Sequence, residues 1–200
     1  MRTVLDKVDS VVRLTKFDVA ERQLLLAIRL FFCEEDCVSI HTLSEVAHQV
    51  FCDIRSGFGA VSLRLDHPRI KPERKKEWID VLARSRNFFK HADRDKSAVY
   101  EFRDSSDHFS LLECGHLYAA IKKHRVPETF LYEKWFALSY PDLMEDETTT
   151  IDLKRIIASG VAPDPRNKAL FNSILLDLRC GKRQIENVVT YFGIQSHRTL

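Results

Sequence analysis

Six consecutive residues, Arg86-Asn87-Phe88-Phe89-Lys90-His91, set a permanent cation and a titratable imidazole five positions apart, with an amide directly after the arginine. Arginine stays charged at any physiological pH, and its planar fork matches phosphate oxygens. Histidine is the side chain whose ordinary pKa suits proton transfer near neutrality. Together they supply two parts that phosphodiester cleavage without a metal requires. One stabilises charge on the phosphate, and the other moves a proton. A looser pair, Arg103 and His108, lies in a polar stretch, Asp104-Ser105-Ser106-Asp107, and ranks below the first.

The elements that must carry these residues are helical. Thr15 and Asp18 resemble a capping box opening a helix to about Phe32, with Phe17, Ala20, Leu24, Ala27, Ile28 and Phe31 on one face. Leu25, Leu26 and Leu30 widen that face, so this helix is expected to be central in a bundle. Ile40, Leu43, Val46, Ala47, Val50, Phe51 and Ile54 form a second stripe, with Thr42–Glu45 or Ser39 as its cap. Ser56-Gly57-Phe58-Gly59 stops it. Pro72 suits the first turn of a third helix, which runs to about His91 and turns Trp78, Val81, Leu82, Ser85 and Phe89 one way. Val99 to Phe102 reads as a short extended piece. A fourth helix is expected from Asp107 to Lys123, with Phe109, Leu112, Leu117, Ala120 and Ile121 apolar, and a fifth begins at Pro127 and ends before Pro141.

The tail has another texture. Leu143 to Thr150 is acidic and threonine-rich, a linker candidate, followed by a short helix from about Ile151 to Ser159. Asn167 to Phe192 supplies one or two more helices, with a break at Gly181. The expected architecture is an all-α bundle of about five core helices over residues 1–142, with accessory C-terminal helices over 143–200.

Composition sets the class. The chain has 200 residues, 44% hydrophobic and 30% charged, with a formal charge of +2, which is ordinary for a globular protein. Its five cysteines form no CxxC pair and suit reduced thiols in the cytoplasm better than a disulfide framework. The first fifteen residues lack a signal-peptide core, and no apolar run approaches the ~20 residues that span a bilayer. A cytoplasmic protein without membrane contact is expected.

Arg-Asn-x-x-x-His near a helix end in a small helical bundle resembles the motif of the HEPN superfamily. These are all-α domains, many of them metal-independent endoribonucleases and others non-catalytic. The resemblance covers about residues 15 to 140 and implies a site built from Arg86, Asn87 and His91. It also implies a homodimer that brings two copies of the motif around one pocket, RNA as the substrate, and no cofactor or metal. Asp93 stands where some members carry a tyrosine. The implied mechanism has His91 moving a proton, Arg86 stabilising phosphate charge and Asn87 orienting either group. The products would carry a 2′,3′-cyclic phosphate and a 5′-hydroxyl.

Geometry supplies a qualification. On a continuous helix, residues five apart point roughly 140° from each other, whereas Asn87 and His91 share a face. The same residues also suit a plain surface, with Arg86 paired to Asp80, Asp93 or Asp95 and His91 closing the helix C-terminus. A non-catalytic helical module that binds a protein or nucleic acid is the alternative. Between Arg64 and Lys96, eleven basic residues face six acids, a local excess that would help hold a phosphate backbone. Cys33, Cys37, His41 and His48 have an order suggestive of zinc but no standard zinc spacing. Both histidines read as solvent-facing, and no metal is expected.

Overall fold

The structure, a computed structural model, describes residues 11–66, 71–91, 93, 96–143, 160, 162–186 and 188–190. Among these residues the regular elements are six α-helices and three short 3-10 turns, with no strand. The all-α expectation therefore holds.

Helix α1 (Lys16–Phe32) starts where the capping box places it. Thr15 Oγ1 accepts from the Asp18 N–H at 3.1 Å, and the Asp18 carboxylate accepts from the Thr15 N–H at 2.8 Å. Ala20, Leu24, Ala27, Ile28 and Phe31 are buried, as their spacing predicts. Helix α2 (Cys37–Ile54) begins earlier than the Thr42–Glu45 cap would allow. Asp36 caps it, accepting from the Ser39 N–H at 2.8 Å. The Thr42 hydroxyl donates instead to the Val38 carbonyl at 2.8 Å, and Glu45 points into the bundle.

After α2 a 3-10 turn, Arg55–Phe58, ends at Gly59 in the left-handed region (φ 64°), a conformation glycine adopts without steric cost. The chain then doubles back, and Arg55 pairs with Asp66. Helix α3 (Lys75–Lys90) follows the 3-10 turn Pro72–Arg74. It buries less than its pattern suggests. Only Ala83 and Ser85 are fully covered, while Trp78 and Val81, expected on the inner face, are 37% and 44% exposed. Its C-terminal half is roofed by the next segment, where Tyr100 stacks on Phe88 at 5.2 Å and Phe102 meets Phe89 at 5.5 Å. That segment forms no strand; its contacts run through side chains.

Helices α4 (Ser105–Lys122), α5 (Pro127–Ser139) and α6 (Lys168–Arg179) complete the described bundle. On α4 the buried face is Leu111, Cys114, Leu117, Tyr118 and Ile121, and Phe109, one of the apolar positions in its sequence, is 45% exposed. Phe31, Phe32, Tyr132 and Trp135 form an aromatic centre that Phe171 of α6 joins by stacking on Phe32 at 5.7 Å. The last described helix thus packs on the same core as α1, α2, α4 and α5. The linker candidate, apart from Leu143, and the helix expected over Ile151 to Ser159 lie outside the described residues. No helix among the described residues is long and apolar enough to cross a membrane.

Candidate functional site

A seam of polar side chains runs through the interface of α2, α3 and α4. On α2 it comprises His41, Glu45, His48 and Cys52, whose three- and four-residue steps keep them on one face. On α4 it comprises Asp107, Ser110 and Glu113. His41, Glu45, His48, Asp107 and Glu113 are each at most 5% exposed. Both histidines were expected at the solvent face. They lie inside because partners far along the chain satisfy them.

His41 is the hub. Its Nδ1 lies 2.8 Å from Asp107 Oδ1 and its Nε2 lies 2.7 Å from Ser85 Oγ. An ionised Asp107 only accepts, so the Nδ1–H donates to it, and a neutral ring then accepts the Ser85 hydroxyl proton at Nε2. Burial pushes the Asp107 carboxyl above its ordinary value, outweighing the hydrogen bond and charge of His41. The order serine, histidine, aspartate matches a nucleophile, its base and an orienting carboxylate. Ser85, however, sits in mid-helix at 9% exposure, and the His41 ring meets Phe89 and Phe102 edge-on at 5.5 and 4.8 Å. The trio acts as a strut that ties α3 to α2 and α4.

The next layer is ionic. Glu45 accepts from Arg64 Nη1 at 2.8 Å and from Ser110 Oγ at 2.5 Å. Burial alone would raise the Glu45 carboxyl, but Arg64 and Ser110 outweigh it and hold it below the usual carboxylate range. Glu113 accepts from the Leu63 N–H at 3.0 Å and from the Ser62 hydroxyl, with His48 Nε2 at 3.6 Å. Burial opposes that charge too, and His48 and Ser62 prevail, keeping Glu113 low. His48 Nε2 also lies 3.3 Å from Cys52 Sγ, whose thiol burial pushes up to about 11. Cys52 is therefore a neutral thiol near pH 7 and no thiolate nucleophile.

Outward from this layer a cavity of about 170 Å³ opens between α2 and α3. Its polar wall is Glu45, His48, Gln49 and Cys52; Leu65, Ile79 and Leu82 give it an apolar side. Two guanidinium groups, Arg64 and Arg86, reach it. Arg86 is half-buried and its Nη1 donates to Gln49 Oε1 at 2.6 Å, while the Gln49 amide donates in turn to Asp53 at 2.8 Å. Among the described residues Arg86 forms no ion pair, in contrast to Arg29, Arg55 and Arg64, each held by a carboxylate.

The three residues of the motif are thus placed differently. Arg86 lines the cavity, Asn87 is exposed, and His91 is the half-buried residue closing α3, its N–H donating to the Asn87 carbonyl at 3.1 Å. No side-chain hydrogen bond or ion pair among the described residues joins Arg86, Asn87 and His91. The lower-ranked His108 is occupied elsewhere, with its Nδ1 2.6 Å from the Tyr140 hydroxyl. The basic stripe is partly neutralised by Arg64–Glu45, Arg74–Glu77 and Lys75–Asp66 pairs. Among the described residues no group of three histidine, cysteine or acidic side chains is arranged to hold a metal. In the suggestive Cys33–His48 order, both ring nitrogens of His41 are already bonded.

Reading the sequence alone missed the seam. One signal was present: polar residues at 41, 45, 48 and 52 and again at 107, 110 and 113, each set at helical spacing within an otherwise apolar helix. No family model, curated protein or solved structure matches the chain.

Proposed function

We propose that this chain is a HEPN-like, metal-independent endoribonuclease in which Arg86 holds the scissile phosphate and His91 moves the proton. The observation that supports this reading best is the state of Arg86. It is a fixed cation at a cavity wall, oriented by a neutral amide and not cancelled by a carboxylate among the described residues. A guanidinium in that setting keeps its charge and several donors for an incoming phosphate. His91 is the half-buried residue that closes α3, where its backbone leaves the helical conformation. Asn87, exposed one residue after Arg86, orients phosphate or imidazole.

The mechanism follows from general acid–base chemistry. His91 takes the 2′-hydroxyl proton as that oxygen attacks phosphorus, or delivers a proton to the leaving 5′-oxygen, and Arg86 stabilises the charge on the phosphoryl oxygens. The P–O5′ bond breaks as the P–O2′ bond forms, leaving a 2′,3′-cyclic phosphate and a 5′-hydroxyl. Because residues five apart on an ideal helix point roughly 140° from each other, the reading includes a homodimer in which the His91 of one copy approaches the Arg86 of the other. It also implies a cytoplasmic protein acting on intracellular RNA.

A specific observation favours a second reading, a non-catalytic module that binds a protein or nucleic acid. Trp78, Ile79 and Val81 on α3 are exposed, and among the described residues no side-chain hydrogen bond or ion pair joins the motif residues to one another. Cleavage of a mixed-sequence RNA in EDTA separates the two readings. Cleavage by wild type that is lost in Arg86→Ala and His91→Ala supports the nuclease. Undiminished cleavage by His91→Ala, or none by folded wild-type dimer, supports the module.

A further inference from the structure

The charge inventory of the α2–α3 cavity specifies a ligand more narrowly than one arginine does. Arg64 and Arg86 bring two positive charges, and Glu45 brings one negative charge, already matched to Arg64 at 2.8 Å. Glu113 stands behind this wall, its carboxylate occupied by Ser62, Leu63 and His48. Cys52 is neutral at ordinary pH because burial raises its thiol to about 11. Among the side chains that line the cavity the arginines outnumber the carboxylates by one, which favours a group of single negative charge.

Donors and size agree with that count. A guanidinium carries five N–H donors. Arg64 Nη1 is taken by Glu45 and Ser110, and Arg86 Nη1 by Gln49. Among the described residues the other donors of both forks make no side-chain hydrogen bond. A volume of about 170 Å³ is below the ~300 Å³ at which small-molecule pockets begin. It is well above the ~10–15 Å³ that one water requires, so it has room for one tetrahedral group.

We propose that this cavity seats one phosphodiester of a nucleic-acid strand between Arg86 and Arg64, with Glu45 setting the site's charge so that a monoanion is preferred over a dianion. The inference rests on the nuclease reading for the choice of nucleic acid and adds to it a second phosphate contact, Arg64, and a charge-setting residue, Glu45. Glu45 is a positioning residue: it fixes the Arg64 fork and does not touch the strand.

The test uses a strand that cannot be cleaved, a fluorescein-labelled octamer of deoxythymidylate, and reads anisotropy across a salt series. Arg86→Met is expected to weaken binding about tenfold or more and to reduce the salt slope by about 1. Glu45→Gln keeps the shape of the side chain while removing its charge, so it is expected to tighten binding severalfold. A purely structural role for Glu45 would weaken it or leave it unchanged. Arg64→Lys keeps a cation beside Glu45 but loses the fork, and is expected to weaken binding with the fold intact by thermal melting. As competitors, dimethyl phosphate is expected to displace the octamer at lower concentration than dianionic inorganic phosphate. Unchanged affinity and slope in Arg86→Met, or a folded Glu45→Gln that fails to bind more tightly, overturns the proposal. Octamer binding with these signatures but no RNA cleavage would remove the nuclease reading and leave the seat standing.

Discussion

Replacing Ser85 by alanine should loosen one helix and leave the rest of the bundle intact. Helix α3 buries only Ala83 and Ser85 fully, so apolar burial contributes little to its docking. Polar contacts carry much of the attachment. These are His41 to Ser85 at 2.7 Å, Arg86 to Gln49 at 2.6 Å, and the Trp78 indole N–H to the Arg64 carbonyl at 2.7 Å. Ser85→Ala strips the partner from a ring nitrogen of a histidine that is 3% exposed. Leaving a buried polar atom unpaired costs about 1–3 kcal/mol. At the midpoint of that range the population in which α3 is undocked rises about 30-fold, since ~1.4 kcal/mol is a factor of ten. Amide hydrogen exchange reads this directly. Protection across α3 should fall by about that factor, with α1, α4 and α5 nearly unchanged. Equal loss of protection in all helices, or none in α3, would refute the reasoning that His41 is the strut of this helix.

Two further predictions concern titration. Glu45 and Glu113 are held below their ordinary value of 4.5, so each contributes stability that is present above about 4.5 and lost as pH falls through its folded value. Asp107, held above 3.8, has the opposite sign: its contribution is fully present below about 3.8 and is lost as pH rises through its folded value. Urea unfolding across the acid range should therefore show stability falling with acid, with a shallower fall in Glu45→Gln; an identical slope in that variant would contradict the assignment. Among the thiols, exposed Cys33 and Cys180 should react quickly with iodoacetamide at mildly alkaline pH. Cys52, at about 11, and Cys114, raised well above its usual range by burial, should stay unmodified until the protein unfolds. Mass spectrometry of the alkylated native protein gives the order, and modification of Cys52 at the rate of Cys33 would oppose it.

The helices were legible because their signals are local. Thr15 and Asp18 announce α1, and Pro127 opens α5 at the first helical position. Ile40, Ala47 and Phe51 face the core as their spacing requires. The interior of the site was not legible, because its meaning comes from partners distant in sequence. His41 reads as polar surface until Ser85, 44 positions on, and Asp107, 66 positions on, close around it. Glu45 reads as a capping residue until Arg64 arrives from the connection after α2. Trp78 reads as core, yet α3 lies at the bundle's edge, and its indole reaches a carbonyl instead. Arg86 was visible by type and by motif, but the cavity it lines, and the neutral partner that leaves its charge available, belong to the tertiary fold.

The most direct measurement of the central claim is the chemistry of the ends produced from RNA in the presence of EDTA. Mass spectrometry of the fragments should find 2′,3′-cyclic phosphate and 5′-hydroxyl termini from the wild-type protein. Neither Arg86→Ala nor His91→Ala should produce them, and a substrate with a 2′-deoxynucleotide at the cleaved position should resist the wild type. Cleavage of the 2′-deoxy substrate, 5′-phosphate termini, or equal rates in the two variants would contradict the account.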